Sequence, residues 1–272
     1  MKIKISFVVL ILVLTFGTLG FALSIFPVHA GSQDILKAMG GSSHPIKATA
    51  QIDEDLLIVD RLTSLRDQLY EQILTPGWLH IRSQVDNFSG QPMGSLPDGR
   101  EIPGSSTADD WYLIDEQGLV SQAVGLMVGQ DGNVLQAAVY QDGVWHNLTF
   151  AEQHEQLNFS IEREFIDGGF ASLVSSVIAD KAYKIDQKTI QQDGREFLVF
   201  SLTTPIASPL YPQDAVRLVK RATYDAQTSL LISIQTLLVL EDGSEVVHTQ
   251  MQLLLIENSP MPPGEVLSYL EH

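Results

Sequence analysis

The sequence predicts a mainly β domain of the α+β kind, a curved antiparallel sheet or half-open β-barrel with one long N-terminal helix and a second, inserted helix. Three observations predict it. Beyond Gly77, apolar residues recur at every second position over most of the chain. Between these segments stand Asp131-Gly132, Asp142-Gly143, Asp193-Gly194 and Asp242-Gly243. Asp-Gly is a strong hairpin cue because tight hairpin turns ask for positive φ at both central residues. Finally, the apolar period lengthens to three or four residues in only two places past the N-terminal segment.

The chain begins with Met1-Lys2-Ile3-Lys4, and from Ile5 to Phe26 it carries no charge. Val28-His29-Ala30 then supplies small residues at the spacing a signal peptidase accepts. Residues 1–30 therefore read as a signal peptide or, since the apolar run is long enough to span a bilayer, as an N-terminal membrane anchor over residues 5–26. Both place residues 31–272 outside the cytoplasm, whether secreted, periplasmic or at the cell surface, because Lys2 and Lys4 stay inside. Residues 31–49, with Gly40-Gly41-Ser42-Ser43-His44-Pro45, read as a flexible linker. Residues 50–258 read as a single antiparallel domain and 259–272 as a C-terminal tail.

The first helix is expected from about Asp53 to Leu74. Ile52, Leu56, Val59, Leu62, Leu65, Leu69 and Ile73 form one stripe, Asp53, Glu54 and Asp55 suit the first turn, and Pro76-Gly77 stops it. A strand follows from Trp78 to Val85, then a long loop over 86–110 rich in Pro and Gly. Strands are expected over Trp111–Asp115, Leu119–Val128, Val134–Tyr140 and Val144–Phe150, with Glu116-Gln117-Gly118 as a further turn. The inserted helix is expected over Gly169–Lys181. The closing strands run Tyr183–Gln191, Arg195–Thr203, Ala215–Tyr224, Leu230–Leu240 and Glu245–Ile256. In the last, Leu253 and Leu255 should face a dry side and Gln250 and Gln252 a wet one.

The chemistry expected is narrow. The chain has no cysteine, which excludes disulfides, thiol nucleophiles, Cys-ligated metals and a lipid-modified cysteine anchor. With 33 acidic against 16 basic residues the surface repels phosphate backbones, so no nucleic acid is expected as a partner. A nucleophile elbow, a phosphate-binding glycine loop, a dinucleotide fingerprint and H-E-x-x-H are all missing; after His154-Glu155 the required second histidine is Asn158. No catalytic residue, metal site or cofactor is therefore expected. Arg217, Lys220 and Arg221 read as structural partners of the many acids, or as an anion site. Trp78, Trp111 and Trp145 stand at the beginnings of strands; they pack in a core or line a mouth that admits an apolar ligand.

The order of helix, hairpin meander, inserted helix and closing strands resembles the lipoprotein-carrier (LolA-like) fold, which is shared with the sensor domains of some envelope-stress regulators. Tyr224-Asp225-Ala226-Gln227-Thr228-Ser229-Leu230-Leu231 looks like that family's recurrent turn, with Ser229 in place of the usual glycine. The resemblance implies a half-open barrel with helices as a lid over an apolar cavity, hence a binding protein rather than an enzyme. The expected function is non-catalytic, extracytoplasmic binding of an apolar or amphiphilic ligand, a lipid or acyl chain. Leu62, Leu65, Leu69, Trp78 and Trp111 are the candidate ligand-binding residues. The alternatives are an envelope sensor or interaction domain meeting another envelope protein, and, third, an exported hydrolase. The membrane would be touched only through the N-terminal segment.

Overall fold

A computed structural model describes residues 46–163, 167–178, 182–206, 211–259 and 261–271. The expected export segment lies outside them, as does the end of the expected second helix. Helix α1 (Ile46–Ile73) leads into strand β1 (Gly77–Asn87). A small hairpin, β2 (Gly94–Ser95) and β3 (Glu101–Ile102), follows, then β4 (Ser105–Ile114), β5 (Val120–Gly129), β6 (Val134–Gln141), β7 (Val144–Asn147) and β8 (Glu152–Glu155). Helix α2 (Phe170–Val177) separates these from β9 (Lys184–Gln192), β10 (Arg195–Pro205), β11 (Ala215–Asp225), β12 (Leu231–Leu240) and β13 (Glu245–Ser259). A short helix α3 (Gly264–Leu267) and a 3-10 turn (Ser268–Glu271) end the chain.

Eleven strands form one antiparallel sheet in the order β8-β7-β6-β5-β4-β1-β13-β12-β11-β10-β9. Strand β1 joins two meanders of neighbouring hairpins, pairing with β4 on one side and β13 on the other. The sheet is mainly β architecture of the expected class and does not close into a barrel. Its free edges are β8, which is short and acidic, and β9, which carries Lys184 and Lys188; both features discourage edge-to-edge pairing.

Two of the four Asp-Gly turns have the anticipated geometry, with φ positive at Asp142 and Gly143 and at Asp193 and Gly194. In the other two only Gly132 and Gly243 turn left-handed. There the aspartate works through its side chain: Asp131 Oδ1 accepts from the Asn133 amide at 3.0 Å and Asp242 Oδ1 from the Ser244 amide at 2.9 Å.

Several expectations need correction. The loop expected over 86–110 contains the β2–β3 hairpin and half of β4, which starts at Ser105, so Trp111 sits well inside its strand. Aspartate is a poor strand former, but Asp109 finds partners across the sheet and tertiary pairing overrides propensity. The strand expected over 144–150 breaks at Asn147, whose Oδ1 accepts from the amides of Thr149 and Phe150, and β8 follows. Asp53, Glu54 and Asp55 are not in the first turn of α1, which begins at Ile46. In β13 the pairing with β1 skips Leu254, giving a bulge. Leu253 and Ile256 therefore share the packed face, while Leu255 sits opposite Arg82 on the other side. Neither is the outer face simply wet. Trp78, Trp111, Val124, Leu126 and Val139 form an apolar cluster there with Val266, and Leu267, Tyr269 and Leu270 pack against it.

Candidate functional site

Both long helices lie on one side of the sheet, here called the inner face. Spacing explains why: Leu62, Leu65, Leu69 and Ile73 recur every three or four residues and are all buried, whereas Leu56 at the same phase is 45% exposed. The stripe meets the sheet in two separate apolar clusters. Leu62 and Leu65 join Val85, Phe170, Val174, Phe200, Tyr224 and Met251. Leu69 and Ile73 join Leu79, Ile81, Tyr112, Tyr140, Trp145 and Phe159. In the second, Phe159 approaches Tyr140 and Trp145 edge-on, with ring centres 5.2 and 5.5 Å apart. Gln156 satisfies both polar tips: its carbonyl accepts from Tyr140 Oη at 2.8 Å and its Oε1 from Trp145 Nε1 at 3.1 Å.

Between and beside these clusters the inner face is small and polar. One row across the strands reads Gln136, Met127, Ala108, Ser83, in direct register. The next carries Ala138, Gly125, Asp110 and Ile81. Gln136, Ser106, Ser83 and Asp110 are all buried. Burial raises the Asp110 carboxyl to about 8, helped by the neighbouring charge of Asp109, so it is protonated at neutral pH. On the other meander Lys220 lies in register with Thr236 and Leu202, and burial lowers it to about 8. Arg221 points the other way and pairs with Glu245 at 2.8 Å, as a structural partner should.

Polar contacts tie α1 to α2 and to the segment before it. Asp167 Oδ2 accepts from the Ala171 amide at 3.0 Å at the start of α2, and Arg66 of α1 donates to Ser172 Oγ at 3.3 Å. Arg163 pairs with Asp67 at 3.0 Å and stands over the Tyr70 ring at 5.1 Å. The octapeptide turn reaches the same helix. Asp225 Oδ1 accepts from the amides of Gln227 and Thr228, each at 2.9 Å, and Ser229 Oγ bonds Gln68 of α1 at 3.0 Å.

The five candidate residues do not form one surface. Leu62, Leu65 and Leu69 line the inner face, whereas Trp78 and Trp111 lie on the outer face under the C-terminal segment. Trp111 there stacks on His80, with rings 3.8 Å apart and 11° from parallel. Asp109 gathers the cluster, accepting from Trp111 Nε1 at 3.0 Å, meeting His80 Nε2 at 2.7 Å and pairing with Arg82. Burial works against ionisation of Asp109, but its bonds to His80 and Arg82 outweigh that and hold its carboxyl low. Trp145, in contrast, is on the inner face. The buried polar residues Gln136, Ser106 and Asp110 were not anticipated. The available signal was Gln136 itself, a large amide among Leu135, Ala137, Ala138 and Val139 in a strand otherwise reading as core.

No family model matches the sequence, and no curated protein matches it. Solved structures do. MucB in complex with MucA(peri) is 18% identical, over 75% of this chain and 57% of that one, with a TM-score of 0.36. The Mycobacterium tuberculosis lipoprotein LppX is 14% identical over 75% of this chain and 98% of its own, also at 0.36. A LolA superfamily protein from Nitrosomonas europaea is 10% identical over 74% and 94%, at 0.25. The chain thus spans little more than half of the MucB chain. With so few shared residues, what the site can do rests on this chain's own side chains. Among the described residues, no group of three or more His, Asp or Glu side chains is placed to hold a metal ion.

Proposed function

We propose that this chain is a non-catalytic, extracytoplasmic binding protein that holds an apolar or amphiphilic ligand, of lipid or acyl type, against the inner face of its sheet beneath α1. One observation carries the reading. Helix α1 bridges two apolar clusters, Leu62 and Leu65 in one and Leu69 and Ile73 in the other, over a sheet whose intervening positions are the small residues Ala108 and Ser83. On this reading an acyl chain would lie between the two clusters, where the sheet presents small side chains, in the manner of an apolar cleft. An open sheet with helices on one side also offers a route for an extended chain without unfolding the core. On this reading Leu62, Leu65 and Leu69 are the residues that would contact the ligand.

Leu65→Trp tests the reading with a fluorescent fatty-acid probe. If α1 covers a binding space, the indole is accepted with little change in melting temperature and competes with the probe. In a filled core the extra volume costs about 1–3 kcal/mol. A clear fall in melting temperature, with no probe bound by the parent protein, would overturn the ligand reading in favour of an interaction domain. Location has its own test: alkaline phosphatase fused at the C-terminus should be active in whole cells. Among the described residues no helix is long and apolar enough to cross a membrane.

A further inference from the structure

The inner face contains a side chain whose chemistry an alkyl chain does not answer. Gln136, on β6, is 0% exposed, and among the described residues neither its Oε1 nor its Nε2 has a hydrogen-bond partner. A buried amide left unpaired costs about 1–3 kcal/mol per group, so a chain does not retain one in a sheet interior without return. The neighbours confirm that the position belongs to the helix-covered side. Gln136 is in register with Met127, which packs under Leu96 and Ile102 of the β2–β3 hairpin, and beyond Met127 come Ala108 and Ser83. Ser106, two positions along β4 from Ala108, is 2% exposed and its Oγ is also without a partner among the described residues. Strand spacing puts Ser106 roughly 10 Å or more from Gln136, so each would meet a different part of a bound molecule.

We propose that Gln136 is a specificity-determining residue for the ligand, selecting an uncharged amphiphile that carries a hydroxyl or an amide at the depth of β6. This rests on the binding reading above and narrows it. Oε1 needs a donor and Nε2 needs an acceptor, and a hydroxyl or secondary amide is both, whereas a hydrocarbon is neither and an ester or ether only accepts. A carboxylate or other acceptor-only anion answers Nε2 alone, leaves Oε1 unpaired and loses its own hydration on burial, so it is disfavoured in the same place.

Dodecanol and dodecyl methyl ether form a matched pair that differs in the hydroxyl donor. Each is used to displace an apolar fluorescent probe from the full chain and from Gln136→Leu. The parent should prefer the alcohol by about tenfold, the factor that ~1.4 kcal/mol supplies, and Gln136→Leu should bind both alike. Without ligand, Gln136→Leu should melt higher than the parent, since a same-sized apolar group replaces an unpaired amide. Equal affinity of the parent for the two compounds overturns this proposal and leaves the binding reading standing. So does a lower melting temperature for ligand-free Gln136→Leu, which would mean that internal water already satisfies the amide. Failure of both compounds to displace the probe, or of the probe to bind, overturns both.

Discussion

Asp109 and Asp110 are adjacent in sequence and opposite in behaviour, because consecutive strand residues point to opposite faces. Asp109 looks outward to His80, Arg82 and Trp111 and is held ionised. Asp110 looks inward, shares its environment with Tyr112, and is held protonated up to about 8. The stability consequences have opposite signs. For Asp110 the folded value lies above the unfolded one, so the folded chain binds the extra proton. Its contribution is whole below about pH 4 and is lost as pH rises towards about 8, at up to ~1.4 kcal/mol per pH unit. For Asp109 the contribution is present above the unfolded value and is lost as pH falls. Asp110→Asn should therefore raise the melting temperature at pH 7 and flatten its decline between pH 5 and 8, as followed by circular dichroism. No change in that slope would show that Asp110 ionises normally. Ser229 gives a second residue-scale expectation. It adopts φ 60, a conformation glycine takes freely, and its hydroxyl makes an exposed bond to Gln68. Ser229→Gly should leave stability unchanged or raise it by up to about 1 kcal/mol, whereas Ser229→Val should lower it.

At the scale of the element, α1 divides into a held half and a loose one. Leu65 is buried to 7% exposure against β1, α2 and β13, while Leu56 is 45% and Leu57 69% exposed. Leu65→Ala should cost about 2–5 kcal/mol in urea unfolding, and Leu56→Ala should stay within about 0.5 kcal/mol. Equal losses would mean that the helix is covered at Leu56 in solution. The helix and its stripe were legible in the sequence because a period near 3.6 sustained over many residues has no other economical explanation. Strand β4 was only half legible. Its first residues, Ser105-Ser106-Thr107-Ala108-Asp109-Asp110, look like a loop by propensity, and they pair as strand because β1 and β5 supply partners on both sides. The bulge at Leu254 was not legible either, since inserting one unpaired residue leaves the local apolar pattern intact while reversing every later face.

For the whole molecule, the sheet has a different cover on each side. The helices cover the inner face, and the chain's last turns cover the outer face where Trp78 and Trp111 lie. Removing residues 264–272 should uncover that tryptophan strip. The shortened protein should show red-shifted tryptophan emission, bind a hydrophobic dye and melt lower than the full chain. Unchanged emission would mean that the C-terminal segment only rests on the surface. The same arrangement explains why five candidate residues chosen from sequence separate in space. Alternation assigns a residue to one of two faces, but nothing in a single strand says which face a distant helix will choose.

By itself the sequence determined the fold class, the meander of hairpins and the helix stripe over its buried part from Leu62 to Ile73, because each is a short-range matter of period, turn chemistry and apolar content. The tertiary structure alone decided which face the helices cover, where register slips, and that Gln136, Ser106 and Asp110 are buried on the same face of the sheet. Those depend on contacts between residues far apart in the chain. Burial of a polar group is a property of everything packed around it and not of the group or its neighbours in sequence.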